Sequence, residues 1–252
     1  MNYRHIAFAA VFFSASAVTL SSASAGEPRA VLELFTSQGC SSCPAADRLM
    51  GKLAADPTLV TLSLPVDYWD YLGWKDTLAL HGHSQRQHAY AEARGDRAVY
   101  TPQVVVNGIA HVLGSDKSAI EAVIAKTDKT AAPLTLPVKV AVADGKITVN
   151  VPDAKGASQR GEVWLCPVSG KVIVTIQRGE NRGRTLTYTN VVRRWVKLGD
   201  WTGKAESFSV PVASLAGEHF SLEDIDHVAV LVQSGEADKP GLMLGAATAE
   251  LR

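Results

Sequence analysis

Near residue 131 the apolar period of this 252-residue chain changes, and no single regular element pattern accommodates both sides of the change. A repeat near 3.6 residues buries one face of a helix, and a repeat of two buries one face of a strand. From Ala30 to about Lys129 both repeats occur in turn. RAVLELF, LVTLSLPV and TPQVVVNG read as strands, and AHVLG pairs behind an Asn107-Gly108 turn. CPAADRLMGKLAAD, DTLALHGHSQRQHAYAEARG and DKSAIEAVIAKT carry helical spacing, with Gly95 as a C-terminal stop. The order is β-α-β-α-β-β-α, an α/β layer architecture. After TAAPLTLP only the repeat of two remains, in runs such as VKVAV, KITVNV, EVWLCPV, KVIVTI and HVAVLVQ. Roughly eight strands at a spacing of about 10–15 residues, without helical interruption, predict a β-sandwich. The expected organisation is therefore an α/β domain over 26–130 and an all-β domain over 131–252, with no internal repeat.

Residues 1–25 are set apart as a targeting segment. Arg4 and His5 precede an apolar run from Ile6 to Phe13 that fades to Ala23-Ser24-Ala25, the pattern of a secretory signal peptide cut after Ala25. Its alternative, a retained anchor, requires a longer uninterrupted apolar run. No later segment approaches that length, so an exported chain, periplasmic or secreted, without stable membrane insertion after cleavage is expected. Twenty-five basic residues balance 25 acidic ones, which supplies no general attraction for nucleic acid or an anionic surface.

Three cysteines are too few for a disulfide-stapled scaffold of this size, and two of them, Cys40 and Cys43, form one C-x-x-C. At the start of a helix a thiolate is stabilised by outward-pointing N–H groups and the helix dipole, which makes Cys40 the candidate nucleophile. Cys43 is then the resolving thiol, and Pro44 suits a first turn that needs no N–H. Two other readings stay open. A zinc site needs two further ligands at close spacing, and a structural disulfide closing so short a loop restricts the unfolded chain only slightly.

The position of the motif between the first strand and first helix, together with Thr101-Pro102 at the start of the third strand, resembles the thioredoxin superfamily. The phrases LFTSQGCSSCPAAD, VDYWDYLGWKD, YTPQVVVNG, RGENRGRTLTYTNVVR and VLVQ followed by LGAA extend the likeness over nearly all of the mature chain. They are similar to a family of exported bacterial thioredoxin-like proteins known as a domain of unknown function. The resemblance implies a thioredoxin-like fold for 26–130 and a cis Pro102 opposite the C-x-x-C. It also implies that the backbone of Thr101 hydrogen-bonds an extended substrate. One departure is the long segment DYWDYLGWKDTLALHGHSQRQHAYAEARG between the second and third strands, similar to inserted helices of exported disulfide oxidoreductases.

Glu33, seven residues before Cys40, is a candidate proton acceptor for Cys43 by analogy with the buried acid of thioredoxins; a solvent-facing glutamate is its alternative. Tyr68 and Trp69 are candidate substrate contacts in an aromatic loop, against ordinary packing of the insertion. His81, His83 and His88 do not fall on one helical face, so no metal site is assigned and no cofactor is expected. Arg178, Arg182, Arg184, Arg193 and Arg194 surround a hairpin that binds an anion or partner, or joins the two halves by salt bridges. Cys166 in EVWLCPV reads as a buried inert thiol. The expected function is thiol-disulfide exchange with exported protein thiols or disulfides, supported by an unidentified redox partner. The alternatives are a copper-binding metallochaperone and a non-catalytic interaction or assembly protein.

Overall fold

The structure is a computed structural model that describes residues 27–154 and 159–251. The expected signal peptide lies outside the described residues. The first half contains β1 (Ala30–Thr36), α1 (Cys43–Leu53), β2 (Leu59–Pro65), α2 (His81–Arg94), β3 (Gln103–Val106), β4 (Ala110–Leu113) and α3 (Lys117–Ala131), in the order that the periods predict. The second half contributes β5 (Lys139–Ala143), β6 (Lys146–Val151), β7 (Gly161–Thr175), β8 (Thr185–Val192), β9 (Val196–Trp201), β10 (Glu206–Pro211), β11 (His227–Glu236) and β12 (Lys239–Glu250). The architecture is mixed α/β.

β1 is buried on both faces, and its alternation decides which helix goes where. Ala30, Leu32 and Leu34 pack with Ala46, Met50 and Leu53 of α1 and with Ile120 and Ile124 of α3. Val31 and Phe35, on the other parity, pack with Tyr90 of α2. Helices α1 and α3 therefore cover one face of the sheet and α2 the other.

The β-rich half does not stand apart from this sheet. Strands run in the order β12-β11-β7-β8-β2-β1-β3-β4, with β9 also on β7, so one nine-stranded sheet draws on both halves. The joint is narrow: β2 and β8 share a single parallel pairing, Ser63 with Val191, reinforced by the Ser63 hydroxyl donating to the Thr189 carbonyl at 2.7 Å. Strands β10-β6-β5 form a second, three-stranded sheet. Their inward residues Ile147, Val149 and Val151 meet Val163, Leu165, Val228, Val230 and Trp201 of the large sheet, which makes a two-layered β region at that end. On the opposite face, Cys166, Val168, Ala229 and Leu231 share a core with Tyr90 and Phe35, so α2 seals both halves.

The Asn107-Gly108 turn between β3 and β4 is present, with φ of 51° and 78°. A side chain at Gly108 would bring its Cβ to 2.2 Å from the Gly241 carbonyl oxygen of β12, so the turn is also a close contact between the halves.

Candidate functional site

Chain leaving β1 turns over residues 37–42 and enters α1 at Cys43. The Cys40 N–H donates to the Ser37 carbonyl and the Cys43 N–H to the Cys40 carbonyl, both at 3.2 Å. This turn brings the two Cα atoms to 5.4 Å, and the side chains are joined as a disulfide. Pro44 occupies the first turn of α1, where no N–H is required. Ser42 does not cap the helix with its side chain; its hydroxyl lies 3.2 Å from the Cys40 sulfur. Cys40 is 1 % exposed and Cys43 fully buried, while Ser41 and Ser42 between them are exposed.

Thr101 and Pro102 lie over this turn. Their peptide bond is cis, and the Thr101 carbonyl oxygen is 3.8 Å from the Cys40 sulfur. Trp69 donates from its indole N–H to the Thr101 hydroxyl at 2.8 Å, and its Cβ stands against Gly39, where an added Cβ would approach to 3.1 Å. Cys40, Cys43, Thr101, Pro102 and Trp69 are thus brought together. Tyr68 packs near Trp69, with ring centroids 6.5 Å apart, but sends its hydroxyl to Gln87 of α2 at 3.1 Å.

Glu33 is not beneath the disulfide. It shares parity with Val31 and Phe35 and faces α2, where it accepts from Arg86 Nε at 2.7 Å and from the Tyr90 hydroxyl. Arg86 Nη2 also donates to Tyr90 at 2.6 Å and to Gln233 of β11 at 2.7 Å, which makes a buried network between β1, α2 and β11. An ion pair this enclosed holds Arg86 charged, despite the desolvation that opposes it.

The acid on the disulfide's own side is Asp47. It lies one helical turn after Cys43, on the α1 face that also carries Ala46 and Met50. Thr36 donates to its Oδ1 at 2.7 Å, and its Oδ2 is buried with no partner among the described residues. Burial pushes the Asp47 carboxyl up to about 8; the Thr36 hydrogen bond opposes the shift, and the neighbouring Asp76 adds to it. Asp76, pushed up to about 6 chiefly by burial, accepts the Gln38 N–H at 2.7 Å and so orients the same turn. A signal for Asp47 exists in the sequence, since it interrupts the apolar stripe Cys43, Ala46 and Met50.

The Arg-rich hairpin also reaches the site, through a residue that is not an arginine. Strands β7 and β8 pair as far as Thr175 with Thr185, and the chain between them lies over the C-x-x-C turn. Asn181, fully buried, donates from Nδ2 to the carbonyls of Gln38 at 2.9 Å and Cys40 at 2.8 Å. Glu180 accepts the Ser41 N–H at 3.2 Å, and Arg184 holds the Asn181 side-chain oxygen at 3.1 Å. Arg178 and Arg182 remain exposed.

Elsewhere, His81 contacts Asp67 at 2.8 Å, and buried His83 contacts the Pro65 carbonyl at 2.9 Å, its pKa pushed down to about 4 by burial. No group of three His, Cys, Asp or Glu among the described residues is arranged to hold a metal ion. Cys166 is free and buried in β7, and burial pushes its thiol well above the ordinary range.

A family model described as "Protein of unknown function (DUF1223)" matches residues 31–233. A crystal structure of a protein from Agrobacterium tumefaciens is 30% identical with a TM-score of 0.77, over 88% of this chain and 94% of that one. A beta-glucosidase from Kluyveromyces marxianus matches at 15% identity and a TM-score of 0.23, over 47% of this chain and 14% of that one; so slight a likeness carries no argument. No curated protein matches.

Proposed function

We propose, for a chain that belongs to the DUF1223 family, that the Cys40–Cys43 pair exchanges disulfides with exported proteins and that 26–130 is a thioredoxin-like domain. The observation that carries this reading is the disulfide itself, held at the β1–α1 junction against the Thr101 carbonyl with Asp47 one turn along the helix. A purely structural staple has no need of an acid that burial pushes up to about 8, one turn along α1 from Cys43.

The oxidised pair reacts as follows. A substrate thiolate attacks Cys40 Sγ; the Cys40–Cys43 bond breaks, and Cys43 leaves with the electron pair as a thiolate that takes the Asp47 proton. A second substrate thiolate then attacks the substrate sulfur of the mixed disulfide and releases Cys40 as a thiolate, stabilised by the Ser42 hydroxyl. The substrate loses two electrons and the pair gains them. An exported redox partner returns the pair to its starting state, and a reduced pair runs the same steps in reverse on a substrate disulfide. Pro102 and Thr101 shape the groove for the substrate strand, with Trp69 as its wall. The hairpin tip around Asn181 moves aside to admit a substrate, because both cysteines are covered.

The test is exchange with a dithiol peptide by the mature chain and its Cys40→Ser and Cys43→Ser variants. The reading expects turnover by the wild type, none by Cys40→Ser, and a trapped mixed disulfide on Cys40 in Cys43→Ser. Wild-type protein that does no better than free glutathione disulfide would refute it.

A further inference from the structure

A cleft of about 760 Å³ runs along α2, on the face of the sheet opposite α1. Its volume is that of a small-molecule site. His81, Gln85, His88 and Glu92 line it from one face of the helix, at spacings of four, three and four residues. At a rise of about 1.5 Å per residue the first and last of these stand about 16 Å apart along the axis, so the cleft is elongated.

The ends are acidic and the middle is aromatic. At the first end lies Asp67, 2.8 Å from His81. Desolvation works against ionising its carboxyl, but hydrogen bonds from Ser84 and His81 outweigh that and hold it below the ordinary carboxylate range. At the far end Glu92 is exposed in the last turn of α2, where the helix dipole disfavours a negative charge and a bound cation relieves it. Asp238, from the turn between β11 and β12, adds a third carboxylate. The rings lie midway along the helix. Tyr68 bonds Gln87 at 3.1 Å, the centroid of the Trp195 ring is 4.2 Å from Arg86 Cζ, and Trp164 meets Trp195 edge to face with centroids 6.0 Å apart.

Charge and shape together narrow the class of ligand. Asp67, Glu92 and Asp238 repel an anion, and Arg86, the arginine that lines the cleft, is already occupied by Glu33 at 2.7 Å. A cation is therefore favoured, and aromatic faces accept one as well. A compact cation in the middle would sit against the Arg86 guanidinium, whereas Asp67 and Glu92 lie toward the ends. Hydrocarbon suits the aromatic middle, and ammonium groups suit the acidic ends. We infer that the cleft along α2 binds a linear organic diamine, with one ammonium group on Asp67, the other on Glu92, and the chain between them across the rings of Tyr68, Trp164 and Trp195.

Calorimetric titration of the full mature chain, at physiological salt and about pH 8 where histidine is uncharged, tests this with four probes. They are 1,8-diaminooctane, the shorter diamine putrescine, neutral 1,8-octanediol and the dianion suberate. Diaminooctane is expected to bind saturably, one molecule per chain, and about tenfold more tightly than any of the other three. Glu92→Gln, Asp238→Asn, a double change at exposed positions, is expected to weaken it about fivefold or more. Asp128→Asn, Asp144→Asn, which changes net charge equally at exposed positions on α3 and the β5–β6 turn, is expected to leave it unchanged. No heat with diaminooctane at millimolar concentration overturns the inference. So does equally tight binding of putrescine, octanediol or suberate, each read on the wild type. Unchanged binding in the cleft variant, or an equal loss in the control variant, overturns it too.

Discussion

Asp47 shows how a single buried group writes itself into the behaviour of the chain. Its carboxyl, pushed up to about 8, keeps in the folded protein a proton that the unfolded chain releases near pH 4. Folding therefore takes up a proton across that window, and stability falls as pH rises through it. Asp76 acts with the same sign but is half titrated at about 6 and spent about a unit above it, whereas His83 and His227, both pushed down by burial, act with the opposite sign and fade as pH rises past the ordinary histidine value. Between about pH 7.5 and 8 the fall belongs mainly to Asp47, at a slope of at most about 1.4 kcal/mol per pH unit. Urea titrations across this range are expected to show the slope in the wild type and a nearly flat profile in Asp47→Asn; an unchanged slope would remove Asp47 from the account. The same residue marks a limit of legibility. Glu33 and Asp47 both break apolar stripes in the sequence, but which face of β1 receives α1 is decided by packing of the whole sheet. Parity puts Glu33 with Val31 and Phe35, under α2, and the α1 side of the sheet receives Asp47, held by Thr36.

At the scale of elements, the C-x-x-C turn was readable because it is local, with strand, turn and helix signals within a few residues of each other, whereas the cis Thr101-Pro102 bond was expected only from the resemblance. The hairpin tip that covers them was not readable. Arginines dominate its composition, yet the contacts come from Glu180 and from Asn181, the latter hydrogen-bonded to partners 141 and 143 positions away. Nothing in a turn-like Asn-Arg-Gly indicates that the asparagine is buried against another segment. Asn181→Ala leaves the Gln38 and Cys40 carbonyls without their donor and is expected to cost about 1–3 kcal/mol of stability. It is also expected to speed reduction of the disulfide by dithiothreitol roughly fivefold or more, the factor that about 1 kcal/mol off the cover supplies. Stopped-flow kinetics on oxidised protein check this, and an unchanged rate in a folded variant would mean that the tip does not limit access.

Across the whole molecule, the change of period near residue 131 marks where helices stop, and that much was visible. Continuity of the sheet was not, because the β2–β8 joint is one pairing between distant strands and carries no periodic signature. What couples the halves is the Glu33–Arg86–Tyr90–Gln233 network and the core shared under α2. Replacing Arg86 by Met strands a buried carboxylate and is expected to cost about 3–5 kcal/mol, with a Glu33→Gln, Arg86→Met pair losing less. Because the core under α2 is shared by both halves whatever becomes of the network, far-ultraviolet dichroism and tryptophan fluorescence are expected to report one coincident unfolding transition in the wild type and in Arg86→Met alike. Two separated transitions would mean that the shared sheet does not couple them.

The central claim, that Cys40 and Cys43 exchange disulfides, is tested most directly by the reduction potential of the pair in the mature chain, equilibrated against glutathione or dithiothreitol buffers and read by thiol trapping. An exchanging pair is expected between about −120 and −270 mV, the range of known oxidants, isomerases and reductants. A potential below about −300 mV, that of a bond too stable to give up to a substrate, would contradict it and return the pair to the role of a structural staple.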